Sequence, residues 1–226
     1  MTKKDISKAI VRFNRPGGQG VLVEGNFILT AAHCIGWNAD GAMDLGKDLV
    51  EWVKPVDGSE SMLVFPLAVE SMSDIAVFGI DKKLVFPSDA LRFKEFCART
   101  EAVSLCKDPL PTGTLTEVFV WTYDVGWAPG SAMPDLNDVA KIWVQTEEAV
   151  EGGASGGPII NAEGELLAVN SSFSLPQKGL SGSEGEQPRP LLALPVWVVN
   201  QMECARKDAE DAVIGQGELV SSYRRS

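Results

Sequence analysis

Apolar residues in this chain fall into short runs broken by glycine, proline, asparagine and charged residues. Ala9–Phe13, Gly20–Val23, Phe27–Thr30, Leu49–Val53, Ser61–Val69 and Ile75–Gly79 form a first group. Ala102–Cys106, Thr114–Trp121, Ala140–Thr146, Pro158–Ile160, Leu166–Ser172 and Leu191–Pro195 form a second. Runs of this length, bounded by turn formers, predict strands, and the fold class expected is all-β. Pro16-Gly17-Gly18 and Glu24-Gly25-Asn26 suit tight turns, because glycine and asparagine tolerate positive φ.

Between the two groups, residues 81–99 read as a connector joining two lobes. Residues 174–190, with Pro176, Gly179, Gly182, Gly185, Pro188 and Pro190 among serine and glutamate, read as a mobile surface loop beside the expected cleft, able to gate it. The period changes after Pro195. Val196, Val199, Met202 and Ala209 recur at helical spacing, so Val196–Ala212 predicts an amphipathic C-terminal helix ended by Gly215 and Gly217. Ser221–Ser226 is expected to fray. No internal repeat is visible.

Composition narrows the function classes. The chain has 226 residues, room for one large domain or two small lobes sharing an interface. It carries 31 acidic against 20 basic residues, a formal charge of −11, which disfavours a nucleic-acid partner. No apolar run is long enough to span a bilayer, and the first ten residues lack the apolar stretch of a secretory signal. The expected location is cytoplasmic, or secreted if a leader has been removed. The 4 cysteines, Cys34, Cys97, Cys106 and Cys204, show no zinc spacing and are read as free thiols, with disulfides the alternative. With 1 histidine in the chain a His-rich metal site is excluded, and neither metal nor cofactor is expected.

Three segments carry candidate chemistry. Gly152-Gly153-Ala154-Ser155-Gly156-Gly157-Pro158 sets a serine among small residues just before an apolar strand, which leaves room for a carbonyl to approach and for backbone N–H groups to point at the oxyanion that forms. Thr30-Ala31-Ala32-His33-Cys34 places the histidine at a strand end beside small neighbours, where it can act as a base. Ser73-Asp74-Ile75-Ala76-Val77 leads an aspartate into an apolar strand, positioned to accept Nδ1–H of an imidazole. Asp44, Asp48, Asp57 and Asp81 lack that setting.

Together these motifs, in the order His, Asp, Ser, resemble those of the chymotrypsin-type serine peptidases, over most of the chain from about Ile10 to about Gln201. The resemblance implies two six-stranded antiparallel Greek-key β-barrels with a C-terminal α-helix: a first barrel at about 8–80, the connector 81–99, a second barrel at about 100–195 and the helix at about 196–213, all in one trypsin-like peptidase domain spanning 1–226. It also implies roles: His33 as general base and acid, Asp74 as its orienting partner, Ser155 as nucleophile, and the N–H groups of Gly153 and Ser155 as the oxyanion hole. Ala154 replaces the aspartate that receives a cut N-terminus in the digestive members, so the chain looks more like the HtrA-like bacterial enzymes, without their PDZ domain. Cys34 has no upstream cysteine for the family's usual disulfide, in keeping with a reducing compartment.

The substrate pocket implied by position is lined near Ala149 and Val150, then Asn170, Ser171 and Ser172. Ala149 stands where trypsin-like members carry an aspartate, which implies a small or apolar P1 residue rather than Lys or Arg. Glu147, Glu148 and Glu151 read as a solvated face. The partners expected are a polypeptide substrate and an activating protein, with no nucleic acid and no membrane. Two other readings stand beside the endopeptidase: a catalytically silent or partner-activated binding module on the same fold, and an esterase. The second would call for serine before histidine and for strand–helix alternation, and the chain has neither.

Overall fold

The computed structural model describes residues 3–14, 17–35, 51–70, 74–80, 86–122, 124–135, 141–146, 150, 153–171 and 191–195. The expected loop 174–190, the helix Val196–Ala212, the fraying end, Cys204, Ala149, Ser172 and the three glutamates near Val150 lie outside the described residues.

Among the described residues, twelve strands form two closed barrels. The first contains β1 (Ile10–Phe13), β2 (Gln19–Val23), β3 (Phe27–Ala31), β4 (Glu51–Pro55), β5 (Met62–Glu70) and β6 (Ile75–Gly79). The second contains β7 (Thr116–Trp121), β8 (Trp127–Pro134), β9 (Ile142–Thr146), β10 (Pro158–Ile160), β11 (Leu166–Asn170) and β12 (Leu191–Pro195). Every strand pairing is antiparallel, and the spatial orders are β1-β2-β3-β6-β5-β4 and β7-β8-β9-β12-β11-β10. The second order repeats the first strand for strand, a structural duplication the sequence does not display. Each barrel closes through its first strand: β1 pairs with β4 as well as β2, and β7 pairs with β10 as well as β8. Closure leaves no open sheet edge.

A buried apolar cluster on the first barrel includes Val11, Phe13, Val21, Leu22, Ile28, Leu29, Met62, Val64 and Phe78, with Phe13 and Phe78 edge to face at 5.1 Å, and extends to Ile160, Leu166 and Val169 of the second. A separate cluster of smaller residues lies on the second barrel, among them Val118, Val120, Ala132, Val144, Ile159, Leu167 and Ala168.

Four elements depart from the sequence expectation. The stretch 81–99 holds a helix, α2 (Pro87–Arg99), as well as a connector. Pro87 stands at its first turn, where a missing N–H costs nothing, and Phe93 and Phe96 bury one narrow stripe against the first barrel. An Arg99 bond to Ser59 and an Arg92–Glu60 ion pair hold α2 to the segment between β4 and β5. A short α1 (Lys3–Lys8) precedes β1 and buries Ile6 completely. The strand β8 was hidden by Pro129, Gly130 and Pro134. Gly130 is needed there, since a Cβ would lie 2.7 Å from the Gln145 carbonyl oxygen. Ala102–Cys106 is a strap rather than a ladder strand. Val103 makes a parallel bridge to Val23 of the first barrel, and Leu105 makes one to Leu166 of the second.

Candidate active site

His33 sits in a single 3-10 turn (Ala32–Ile35) that ends β3, and Asp74 lies just before β6, the neighbour of β3 in the barrel. Pairing of Ala31 with Ile75 carries both residues to the same barrel end. Asp74 then fixes the turn. Its carbonyl accepts Ala32 N–H at 2.7 Å, its Oδ1 accepts His33 N–H at 2.8 Å, and its Oδ2 lies 2.7 Å from His33 Nδ1. Asp74 adopts φ +53°, a left-handed conformation that aspartate tolerates better than most residues and that strained functional positions often show.

A second donor reaches the same carboxylate. Ser171, at the end of β11 in the other barrel, donates its hydroxyl to Asp74 Oδ2 at 2.6 Å. Ser171 was expected in the substrate pocket; its side chain is engaged instead behind the imidazole. A hydroxyl directly after β11, the strand that pairs with β10, was the available signal.

The carboxylate raises the His33 imidazole from 6.5 to about 10, mainly through the Nδ1–H bond to Asp74. The Cys34 sulfur, 3.9 Å from Nε2, acts in the same direction, and burial opposes both. Cys34 is buried and free, as are the partly exposed Cys97 and Cys106. The residue opposite its sulfur is Gly18, where an added Cβ would lie 2.5 Å from Sγ and 3.2 Å from the Ser155 carbonyl oxygen. Gly18 therefore lies between Cys34, which follows His33, and the backbone of Ser155, with no room for a side chain.

Ser155 lies in the turn before β10. Gly153 (φ +94°) and Gly156 (φ +77°) supply left-handed conformations that a side chain would oppose. The need for glycine at 156 is also steric: a Cβ there would overlap the Gln19 carbonyl oxygen and the Thr30 hydroxyl. The turn is closed by Gly157 N–H to the Ala154 carbonyl at 2.9 Å. It is tied to β11 by Gly156 N–H to the Asn170 carbonyl at 2.7 Å and by Asn170 N–H to the Gly157 carbonyl at 2.9 Å.

Across the seam, Gln19 N–H donates to the Ser155 carbonyl at 2.8 Å, and the Gln19 side-chain amide donates to the Gly153 carbonyl at 2.9 Å. Thr30, of the Thr-Ala-Ala-His segment, bonds the Gln19 carbonyl at 2.6 Å. Gln19 was not singled out from sequence. A glutamine between glycines at the head of a fully buried strand was the clue. Among the described residues, the N–H groups of Gly153 and Ser155 donate to no protein acceptor, and no hydrogen bond joins the Ser155 hydroxyl to Nε2. In unliganded enzymes of this chemistry the latter bond often forms only with substrate. Val150 and Asn170 are fully buried, and both polar atoms of the Asn170 amide lack a partner among the described residues. Among the described residues no cluster of His, Cys, Asp and Glu could hold a metal ion, and no helix is long and apolar enough to cross a membrane.

Comparison with solved structures finds the same fold in bacterial peptidases. The Rv3671c protease of M. tuberculosis H37Rv, in an inactive form, superposes with a TM-score of 0.55 at 16% identity, covering 88% of this chain and 90% of that one. A serine endoprotease from Yersinia pestis gives 0.57 at 19% identity over 92% of this chain and 68% of its own. The HtrA-type protease AlgW with a tripeptide gives 0.56 at 19% identity, and the present chain spans 63% of its length. A search of curated proteins finds no match. The family model of the trypsin-like peptidase domain matches residues 18–169, a span that takes in β2 to β11 with His33, Asp74 and Ser155. On that match the chain belongs to the trypsin-like peptidase family.

Proposed function

We propose that this protein is a serine endopeptidase that cleaves peptide bonds through an acyl-enzyme. The observation that carries the reading is the Asp74–His33 pair: one carboxylate oxygen holds the backbone of the histidine turn and the other takes Nδ1–H, which leaves Nε2, beside the Cys34 sulfur, as the nitrogen the carboxylate does not engage. The Ser155 hydroxyl attacks the scissile carbonyl carbon and its proton passes to Nε2. The oxyanion is received by the Gly153 and Ser155 N–H groups, which are otherwise unspent. The tetrahedral species collapses, the amine leaves with the proton from Nε2, and water repeats the sequence to release the acyl group.

The substrate contacts would come from Ala149 and Ser172, with Ser171 contributing through its main chain and the buried Val150 and Asn170 backing the pocket, and P1 would be small or apolar. The partner is a polypeptide. The acidic charge argues against nucleic acid, and the free Cys34, Cys97 and Cys106 thiols fit a reducing, cytoplasmic setting.

One observation favours a second reading, a silent or partner-activated module. Asp74 on Nδ1 and the Cys34 sulfur beside Nε2 both favour the protonated imidazole, which holds back its base form until substrate or an activating protein alters its surroundings. Labelling by a fluorophosphonate probe separates the two. The endopeptidase reading expects wild-type protein to be labelled at Ser155, faster at pH 9 than at pH 7, with no label on Ser155→Ala. Absence of label at either pH would select the binding module. Cleavage profiling of a denatured proteome with the same pair reads the P1 residue.

A further inference from the structure

Three bonds on Gln19 converge on the turn that carries Ser155 and on the strand beneath it. Its N–H holds the Ser155 carbonyl, its side-chain amide holds the Gly153 carbonyl, and its own carbonyl is held by Thr30. The side chain is fully buried, and its Oε1 has no partner among the described residues. The orientation of the amide is forced, because a carbonyl oxygen can only accept. Burying an amide with one face unsatisfied is unfavourable, so this glutamine sits where an apolar side chain would rest more comfortably.

The two carbonyls it grips belong to the same two residues whose N–H groups are unspent. Gly153, at φ +94°, has the conformational freedom of a glycine and no side chain to restrain it. A carbonyl fixed at 2.9 Å holds the peptide plane between Gly153 and Ala154, and with it the direction in which the neighbouring N–H groups point. Oxyanion donors stabilise a transition state in proportion to how well they are already aimed.

We propose that Gln19 is a positioning residue: from the opposite barrel, its side-chain amide clamps Gly153 and so keeps the oxyanion-binding N–H groups of Gly153 and Ser155 in their working orientation. The proposal rests on the reading of Ser155 as the nucleophile. It adds that the interlobe seam, through one side chain, sets the acylation rate.

Gln19→Met keeps the length and removes the donor. Gln19→Glu regains a donor only when its carboxyl is protonated. In Gln19→Met, fluorophosphonate labelling of Ser155 and kcat should fall on the order of 10- to 100-fold, with KM within about twofold and affinity for a peptide boronate falling in parallel. In Gln19→Glu, activity relative to wild type at the same pH should climb as pH drops from 8 to 5. Backbone hydrogen exchange provides a readout that needs no activity: residues 153–157 should exchange at least tenfold faster in Gln19→Met, with β5 and β6 unchanged. A folded Gln19→Met with wild-type exchange at 153–157, or with wild-type kcat and boronate affinity, overturns the proposal. If Gln19→Met does not fold, Gln19→Glu at pH 5 and pH 8 takes its place, and equal exchange at the two values overturns it. Wild-type protein that leaves Ser155 unlabelled removes the nucleophile reading instead, and the exchange comparison still decides whether the clamp exists.

Discussion

In the first barrel four hydrogen bonds converge on Asp74, three from the histidine turn and one from Ser171. In the second, no charged side chain among the described residues anchors the Ser155 turn. Glycine conformations, main-chain bonds to β11 and the grip of Gln19 from across the seam give it its shape. One half of the site is organised by a charge and the other by backbone geometry. The two halves should therefore fail in different ways: loss of charge alters chemistry in an intact fold, and loss of a glycine displaces the reacting atoms.

The sharpest break in that contrast is Asp74→Asn. The isosteric amide leaves the turn in place, but it no longer stabilises the imidazolium, and kcat should drop by about 10⁴-fold with the thermal midpoint little changed. A drop of less than tenfold would mean the carboxylate is structural only. Next in size is Phe96→Ala, far from both halves. Truncating this fully buried α2 side chain should cost about 3–5 kcal/mol of stability, read by urea denaturation, and leave kcat/KM of the folded fraction unaltered. Gly156→Ala tests the backbone half. With its Cβ driven into the Gln19 carbonyl and the Thr30 hydroxyl, Ser155 labelling should slow by about a hundredfold while the His33 resonance stays where it is. A shifted resonance would show that the halves are not separable.

The smallest effect concerns pH. The imidazole, raised to about 10, must lose its proton to act, so kcat/KM should rise with pH along a limb well alkaline of the ordinary histidine range. The stability from the His33–Asp74 pair runs the other way. It is complete below the unfolded value of 6.5 and fades as pH rises through about 10. Cys34→Ala removes the sulfur beside Nε2 and should move the activity limb toward lower pH. A limb left in place would show that Asp74 alone sets it.

Much of this contrast was legible in the sequence, unevenly. The all-β class followed from short apolar runs between turn formers, and the meeting of His33 with Asp74 from two short motifs that open onto neighbouring strands. Elements whose cause lies in tertiary packing were not. β8 is a strand because both neighbours demand one, against the local preference of Pro129, Gly130 and Pro134. α2 shows too narrow an apolar stripe to stand out. The engagement of Ser171 with Asp74 and of Gln19 with Gly153 spans the two barrels, across 97 and 134 residues of chain, and no local pattern encodes either. The glycine-rich segment around Ser155 stood out in the sequence; the residues that restrain its turn did not.

The strap Val103–Leu105 belongs in sequence to neither barrel, yet it bridges Val23 on one side and Leu166 on the other. Just beyond it the chain runs exposed through Pro111–Leu115, with Gly113 at φ +77°. A polypeptide cut in that exposed stretch would leave the strap on the first fragment as a recognition edge for the second. Co-expressed halves should find one another and copurify, and deleting 102–106 from the first should abolish the reunion. On that expectation the joint between lobes would double as the address by which one half identifies the other.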